Sequence, residues 1–265
     1  MSGRTAVTSQ SKSAYTVSQW CDSSWKRCFD VCGALALLAV LWPWMILIGA
    51  AILLTSRGPL FFRQRRPGKG GKEFTIVKFR TMVVRDCQPG PALTWTADPR
   101  VTRIGRFLRK WKLDEFPQLF NVLRGDMSFV GPRPLPPALW NGETIQNEAA
   151  CVLSVRPGIT GQAALEFRDE TKLFVPLASL PPEQAEAEYV RHIMPLKLAI
   201  EIDYLQHASF AGDCRLILKT LLRVFNLQKG SQSGMRQPLP SFAQNAPGAA
   251  RSPEAERASA ASPGD

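Results

Sequence analysis

Histidine is nearly absent from this 265-residue chain: His192 and His207 are the whole supply. A His-rich zinc centre and a two-histidine iron centre are therefore poor fits. A Ser-His-Asp triad is not excluded, but neither histidine sits in a recognisable catalytic setting. Both read as ordinary surface or packing residues. The six cysteines, Cys21, Cys28, Cys32, Cys87, Cys151 and Cys214, contain no CxxC pair and no dense framework. Three lie in or near an apolar run, where cysteine acts as a small hydrophobe. They read as reduced thiols on a cytoplasmic body. Charge is scarce too, at 21% of residues against 45% hydrophobic, yet the net charge is +11. That combination suggests a greasy segment joined to a basic body. No internal repeat is found.

The greasy segment is Phe29 to Leu54, with Asp30 its only charge. As a helix it would be roughly 39 Å long, against a hydrocarbon core about 30 Å thick. It is too long for a signal peptide, and a strongly basic flank follows it. Pro43 lies mid-run between Trp42 and Trp44, where a proline removes a backbone hydrogen bond and predicts a kink. Lys26 and Arg27 precede the run; Arg57, Arg63, Arg65, Arg66, Lys69 and Lys72 follow it. Such residues prefer the cytoplasmic side. The residues alone leave two topologies open, a single kinked span and a helix that dips into one leaflet and returns.

Residues 57–112 hold fifteen basic and three acidic residues, a net +12. Within them, Phe61-Phe62 and Phe74 to Val77 predict two strands around the turn Pro67 to Gly71. A basic helix is predicted over 101–112. The apolar spacing at 113, 116, 119, 120 and 123 predicts a helix closed by Gly125. Residues 131–140 read as irregular and 156–161 as a turn. Residues 183–206 read as helix with a break at Pro195. Residues 213–227 predict a basic amphipathic helix suited to an anionic membrane. High charge could suit a nucleic acid; the apolar run and that helix argue against one.

The adjacent acids Asp114-Glu115 follow Arg109, Lys110 and Lys112. Asp114 reads either as the cap of the helix that starts there, with Pro117 in its first turn, or as part of an anion site. A helix N-terminus beside arginines attracts phosphate and keeps a carboxylate ionised. A carboxylate that attacks phosphorus makes an acyl phosphate. Arg133, held between Pro132 and Pro134, reads as a rigid turn or as a bidentate phosphate ligand. Lys78 and Arg80 share one face of a predicted strand, either solvated or phosphate-binding. Asp126 reads as a cap or a metal ligand.

Together, a basic-Phe-Asp start, the Pro-broken run, SRGPLFFRQRRPGKGGKEFTIVKFRTM, LDEFPQLFNVLRGDMSFVGPRP and RPGITG resemble the bacterial sugar transferase family, over about residues 25–226. These are monotopic phosphoglycosyl transferases acting on polyprenol phosphate. The resemblance implies transfer of a phospho-sugar from a UDP-sugar to polyprenol (undecaprenyl) phosphate, initiating exopolysaccharide, capsule, O-antigen or glycoconjugate assembly. It makes Asp114 the nucleophile on the β-phosphorus, with UMP leaving and an aspartyl phospho-sugar remaining. It requires Mg²⁺, with Asp114 and Glu115 as candidate ligands and Glu115 serving the metal or proton handling. It sets Arg109 and Arg133 near the phosphates and makes Lys78 the active-site lysine; Arg80 joins them as a candidate phosphate or substrate ligand. It favours the re-entrant helix, in the bacterial inner membrane with the catalytic body on the cytoplasmic face. Some positions depart from the common pattern. Trp111-Lys112 stands where many members have Thr-Ser, and QAALEFRDETKLF follows a family branch. Glu201 stands where many have Asp, with Asp203 nearby; both are candidates for an additional acid. No extra N-terminal transmembrane bundle is expected, which makes this the short form.

The expected fold is α+β and mainly helical. A flexible N-terminus (1–24) precedes a re-entrant membrane helix kinked at Pro43 (25–56). A catalytic domain (57–227) follows, with a short β-hairpin and interfacial amphipathic helices around a cytoplasmic core, then a disordered tail (228–265). The expected partners are UDP-sugar, polyprenol phosphate and membrane lipid, with no nucleic acid; a homo-oligomer is compatible with the chain. Two other functions compete: a nonenzymatic membrane-bound binder of anionic lipid or nucleotide, and a glycosyltransferase that attacks the anomeric carbon and releases UDP. No motif names the sugar.

Overall fold

The computed structural model describes residues 15–83, 98, 100–140, 146–167 and 181–224. The expected disordered tail, the first fourteen residues of the expected flexible arm and the Arg-Asp-Glu segment at 168–170 lie outside the described residues. The fold is mainly helical, with one short hairpin and one long apolar helix near the N-terminus.

Helix α1 spans Ser24–Thr55, and the Ser23 hydroxyl caps it by accepting from the Lys26 N–H at 3.1 Å. At 1.5 Å per residue it is about 48 Å long, with a mean hydropathy of 2.4 in its most apolar window. That is long and apolar enough to cross a membrane. Pro43 lies inside it without ending it. One face carries Ala34, Leu38, Leu41, Met45, Ile48 and Ile52, at alternating spacings of four and three, and this face packs on the body along its whole length. The other face leaves Leu35, Val40, Trp42, Trp44, Leu47 and Leu54 exposed, an apolar surface far larger than a water-soluble monomer shows.

Strands β1 (Phe61–Pro67) and β2 (Glu73–Phe79) form the expected antiparallel hairpin, with Phe61 opposite Phe79 and Pro67 opposite Glu73. Helix α2 (Arg103–Lys110) is capped by Thr102, whose hydroxyl accepts from Gly105 N–H. Gly105 has to be glycine: a Cβ there would sit 2.1 Å from the Thr81 carbonyl oxygen. The predicted helix over 113–123 divides in two. Lys112 turns left-handed (φ 57°), a 3₁₀ turn covers Leu113–Glu115, and α3 covers Gln118–Arg124, closed by left-handed Gly125.

Residues 156–161 differ from the expected turn. Strand β4 (Gly158–Thr160) pairs in parallel with β3 (Ser128–Val130), Ser128 opposite Gly158 and Val130 opposite Thr160. The backbones then run so close at Gly131 and Gly158 that a Cβ on Gly158 would lie 2.2 Å from Gly131 N. Helices α4 (Gln146–Val152) and α5 (Gln162–Glu166) precede and follow β4 along the chain. The expected break at Pro195 is a widened turn instead: α6 (Pro182–Glu188) runs through a π turn (Tyr189–Ile193) into α7 (Met194–His207). Proline lacks the N–H that the helix needs, and the wide turn absorbs the mismatch without breaking the rod. Helix α8 (Phe210–Val224) is the expected amphipathic helix, begun three residues early, with Phe210, Leu218 and Leu221 exposed.

Polar groups fasten α1 to the body. The Asp30 carboxylate is buried and accepts from Ser128 Oγ and Phe129 N–H, both at 3.0 Å. Arg27 donates to the Val122 and Leu123 carbonyls, where α3 ends and its dipole favours a cation. Lys26 pairs with fully buried Asp213 of α8 at 2.5 Å. Asp213 also accepts from Trp20 Nε1 at 2.9 Å and Tyr204 Oη at 2.7 Å. Residues 15–23 are therefore not the flexible arm expected. Trp20 bonds to α8, and Ser18 bonds to the Leu205 and Ala208 carbonyls.

Breaking a buried pair by removing one partner leaves an uncompensated charge, which costs about 3–5 kcal/mol. Lys26→Met should lower stability by that amount in denaturant unfolding. Adding Asp213→Asn should recover at least half of the loss. An unchanged unfolding midpoint for Lys26→Met would remove this pair from the forces holding α1.

Candidate active site

Asp114 and Glu115 lie in the 3₁₀ turn between α2 and α3, both buried. Leu113 and Phe116 bracket them and pack against the cluster of Ile52, Phe79 and Leu108, which Met45 and Ile48 of α1 also join. Asp114 is not a helix cap. Neither the turn nor α3 has a side-chain capping bond, and Pro117 stands at the cap position of α3.

One oxygen of Glu115 takes two cations. Its Oε1 accepts from Lys78 Nζ at 2.9 Å and from Arg133 Nη2 at 2.5 Å. Lys78 comes from β2 and Arg133 from the loop after β3. The placement of Lys78 depends on Asn121 of α3, which is fully buried. Its Oδ1 accepts from Val77 N–H at 3.1 Å and its Nδ2 donates to the Thr75 carbonyl at 2.8 Å. This side chain ties α3 to the edge of the hairpin, one residue from Lys78. Asp126, expected as cap or metal ligand, accepts from the same Nδ2 at 3.3 Å.

The two carboxyls have opposite electrostatics. Burial alone would raise the Glu115 carboxyl, but Arg133, Lys78 and Lys112 hold it well below the usual carboxylate range. Asp114 is pushed up from its ordinary value, first by burial and then by the Glu115 charge; Lys78, Lys112 and Arg109 offset part of this. Its Oδ1 is buried with no hydrogen-bond partner. So is Nε2 of Gln118, four residues on. Arg109 bonds Thr81 Oγ1 through Nε at 2.8 Å, and burial lowers its pKa while the charge of Asp114 resists.

The structure brings Lys78, Arg133 and Glu115 into direct contact and sets Arg109 by charge near Asp114. It does not bring Arg80 or Asp203 to them. Strand β2 ends at Phe79, so the alternation that would pair Arg80 with Lys78 stops there. Arg80 turns instead to the C-terminal end of α1, its Nη2 donating to the Ser56 carbonyl at 2.6 Å and to Ser56 Oγ at 2.8 Å. Its Nε and Nη1 stay buried without partners. Asp203 is exposed and pairs with His207 at 3.3 Å. Two residues along a helix is more than half a turn, so Asp203 cannot share the inward face of Glu201. Glu201 is buried, and burial raises its carboxyl to about 8, against the pull of Lys197.

Sequence reasoning missed Arg66. Its Nη1 donates to the Pro134 carbonyl at 2.9 Å, and Gln64 Oε1 accepts from its Nε and Nη2. Burial, helped by the charge of Arg133, lowers it to about 10. The available signal was strand alternation, since Gln64 and Arg66 share a face. Asn121 and Gln118 were missed as well. Their signal was an uncharged polar residue inside a seven-residue helix that otherwise buries apolar ones.

Among the described residues, no three His, Cys, Asp or Glu side chains gather as a metal-binding cluster. A magnesium ion needs no such cluster, since it is bound through one or two carboxylates plus phosphates and waters. The unpartnered buried Oδ1 of Asp114 fits that donor set.

The sequence model described as bacterial sugar transferase matches residues 21–227. The UDP-glucose:undecaprenyl-phosphate glucose-1-phosphate transferase of Caulobacter vibrioides is 41% identical over 197 residues, 74% of this chain and 68% of that protein. A protein of the same name from Xanthomonas campestris pv. campestris is 41% identical over 196 residues, covering 72% of this chain but 37% of that longer protein. The exopolysaccharide production protein PSS of Rhizobium leguminosarum bv. phaseoli is 35% identical over 211 residues, 77% of this chain and 97% of that one. With most of the chain matched by the family and by these relatives, the chain belongs to the bacterial sugar transferase family and is an enzyme, a phosphoglycosyl transferase.

Proposed function

We propose that this enzyme moves a sugar phosphate from a UDP-sugar to polyprenol (undecaprenyl) phosphate, through a covalent aspartyl intermediate, and so begins the assembly of a bacterial polysaccharide. The observation that carries the reading is the contrast within the acidic pair. One oxygen of Glu115 takes two cations, while Asp114 keeps a buried oxygen with no partner beside it. Such an oxygen is a ready nucleophile. The names of the relatives, which specify undecaprenyl phosphate and a glucose-1-phosphate group, agree with these substrates.

In the first step Asp114 Oδ1 forms a bond to the β-phosphorus, and the bond from that phosphorus to the bridging oxygen breaks. UMP leaves with the bridging oxygen and its electron pair. In the second step a phosphate oxygen of the polyprenol phosphate attacks the same phosphorus and the Asp114 carboxylate leaves, giving polyprenyl-diphospho-sugar. Phosphoryl transfer demands positioning and charge neutralisation above all. Arg133 is half-exposed and its fork has five donors, so it can hold Glu115 and a phosphate together. Lys78 and Arg109 add positive charge on the flanks. Asp114 and Glu115 would hold Mg²⁺, which would supply charge neutralisation on the diphosphate.

The same reading puts both ends of α1 on the cytoplasmic side of the inner membrane, with the helix bent at Pro43. Its support is that α1 packs on one body from Ala34 to Ile52 and is fastened to it from Lys26 to Ser56, between basic flanks. A straight span would pull one of those ends through the bilayer.

Incubation with UDP-sugar and Mg²⁺ but no lipid acceptor should release up to one UMP per enzyme and add a phospho-sugar mass to Asp114. Asp114→Asn should fold and form no adduct, Glu115→Gln should form it more slowly, and Arg133→Ala should slow turnover about 10²-fold. Release of UDP, or full activity in folded Asp114→Asn, would sink the mechanism.

Topology has its own test. In a background without native cysteines, Gln19→Cys and Arg57→Cys should both resist a membrane-impermeant thiol reagent applied to intact cells, and both should react after lysis. Labelling of one of the two from outside would establish a spanning helix.

A further inference from the structure

Residues 78–81 lead out of β2, and each end of this segment bonds a residue on one side of Asp114. Lys78 Nζ donates to Glu115 Oε1 at 2.9 Å. Three residues on, the hydroxyl of buried Thr81 accepts from Arg109 Nε at 2.8 Å. The backbone closes the circuit. The Arg109 carbonyl accepts from Lys112 N–H at 3.3 Å, and the Lys112 carbonyl accepts from Glu115 N–H at 3.2 Å. These bonds and the chain from Lys78 to Thr81 form a ring, and Asp114 belongs to the turn that the ring contains.

Thr81 itself is fixed. Arg80 N–H donates to the Leu60 carbonyl at 3.0 Å, the Thr81 carbonyl accepts from Thr102 N–H at 3.0 Å, and Val83 N–H donates to the Arg100 carbonyl at 2.9 Å. Met82 bridges to Val101 in the same antiparallel sense. The chain after β2 is thus laid against the residues that lead into α2. Asp98, at the start of that stretch, is already taken: Arg100 donates to its two oxygens through Nε, at 2.9 and 3.0 Å, and through Nη2 at 2.5 Å. A guanidinium has five N–H donors, one on Nε and four on the two Nη groups. The bond to Thr81 uses the first and leaves the Nη pair for a bidentate contact with an anion. Anchoring Nε also sets the plane of the fork in advance, so the ordering cost of a long side chain falls on folding and not on substrate binding.

We propose that Thr81 is a positioning residue: its hydroxyl holds Arg109 by Nε and so presents the two Nη groups to a phosphate of the substrates. It acts through Arg109 and touches no reacting atom. A hydroxyl suits the task because it is an uncharged, single acceptor. A carboxylate in its place would take the fork with two bonds and compete with the phosphate. The inference rests on the proposed phosphoryl transfer for the identity of that phosphate, which both the UDP-sugar and the polyprenol phosphate carry. In a two-step reaction through a covalent intermediate, kcat/KM for each substrate reports its own half-reaction, which separates the two sources. Misplacement of a charge-bearing group by about 1 Å costs on the order of 10²-fold in rate.

The test uses the full-length enzyme in detergent or nanodiscs, with two readouts. Turnover is scored as UMP release with each substrate varied in turn. Hydrogen exchange of the Arg109 Nε–H is followed by NMR in enzyme carrying isotope-labelled arginine, the signal being identified by its loss in Arg109→Lys. Thr81→Val keeps the shape and removes the hydroxyl. It should lower kcat/KM about tenfold to a hundredfold for at least one substrate, and the Nε–H should exchange about tenfold faster. A loss confined to UDP-sugar assigns the phosphate at Arg109 to the nucleotide sugar; one confined to polyprenol phosphate assigns it to the lipid. Thr81→Ser restores the acceptor and should stay within about threefold of the parent. Thr81→Ala should behave as Thr81→Val does, which covers failure of that variant to fold. In an Arg109→Ala background, Thr81→Val should cost nothing further. Losses that multiply in that double variant, unchanged kcat/KM for both substrates in Thr81→Val, or unchanged exchange of the Nε–H would overturn the positioning role. Absence of UMP release from the parent enzyme would defeat the proposed reaction instead, and the exchange arm would still decide whether Thr81 holds Arg109.

Discussion

Helix α1 is at once too apolar for water and bonded at both ends to a polar body, and the arrangement of the molecule follows from that constraint. At one end stand the Lys26–Asp213 pair, the Arg27 bonds to α3 and the Asp30 bonds to β3. At the other, Ile52 packs under α2 and Arg80 holds Ser56. With its ends fixed, α1 can bury one face only along the body, and the opposite face is left apolar and exposed, compatible with membrane association. Leu113 and Phe116, which bracket the acidic pair, join the apolar cluster that Met45, Ile48 and Ile52 enter from the buried face of α1. In the proposed reaction a site placed there would meet a lipid-linked phosphate at the depth where headgroups lie, and the basic stretch 57–112 would draw anionic substrates to the same place.

Adjacent carboxyls in a sequence normally share an environment; here a 3₁₀ turn separates them. Glu115 points toward the hairpin and the loop after β3, and each contributes a cation. Asp114 receives only the more distant field of Arg109, Lys78 and Lys112. The division depends on Asn121, because without its bonds to Thr75 and Val77 nothing polar would fix the register of α3 against β2. A cation pair on one carboxylate and an unpaired neighbour make a site where one acid organises charge and the other stays available.

Much of this was legible because it rests on local chemistry. The apolar run declares α1, Pro67 and the glycines after it declare the hairpin, and the acidic pair with Arg109, Arg133 and Lys78 carried the site. What escaped depends on distance along the chain. Strands β3 and β4 are three residues each, too short for an alternation, and their glycines look like turn residues until the parallel partner is present. Residues 15–23 read as a polar arm because Ser18 and Trp20 find their partners nearly two hundred residues later. Arg80 was misplaced by carrying the strand period one residue past its end. Asp203 was misplaced by proximity in sequence, which on a helix separates residues rather than joining them.

Buried polar atoms in a folded chain are nearly always bonded. Among the described residues the unpartnered ones are few: Asp114 Oδ1, Gln118 Nε2, Glu201 Oε2 and two nitrogens of Arg80. Asp114 and Gln118 lie four residues apart at the acidic turn, whereas Glu201 is on α7 and Arg80 is at the C-terminal end of α1. Each such group carries a desolvation cost of about 1–3 kcal/mol, more if charged, and a fold that kept them for no purpose would be less stable than one that replaced them. Other buried polar groups are satisfied, as at Asp213 with three donors and Asp30 with two. The unmet bonding capacity at the acidic turn, on Asp114 and Gln118, stands where the proposed reaction would place a diphosphate and its cation.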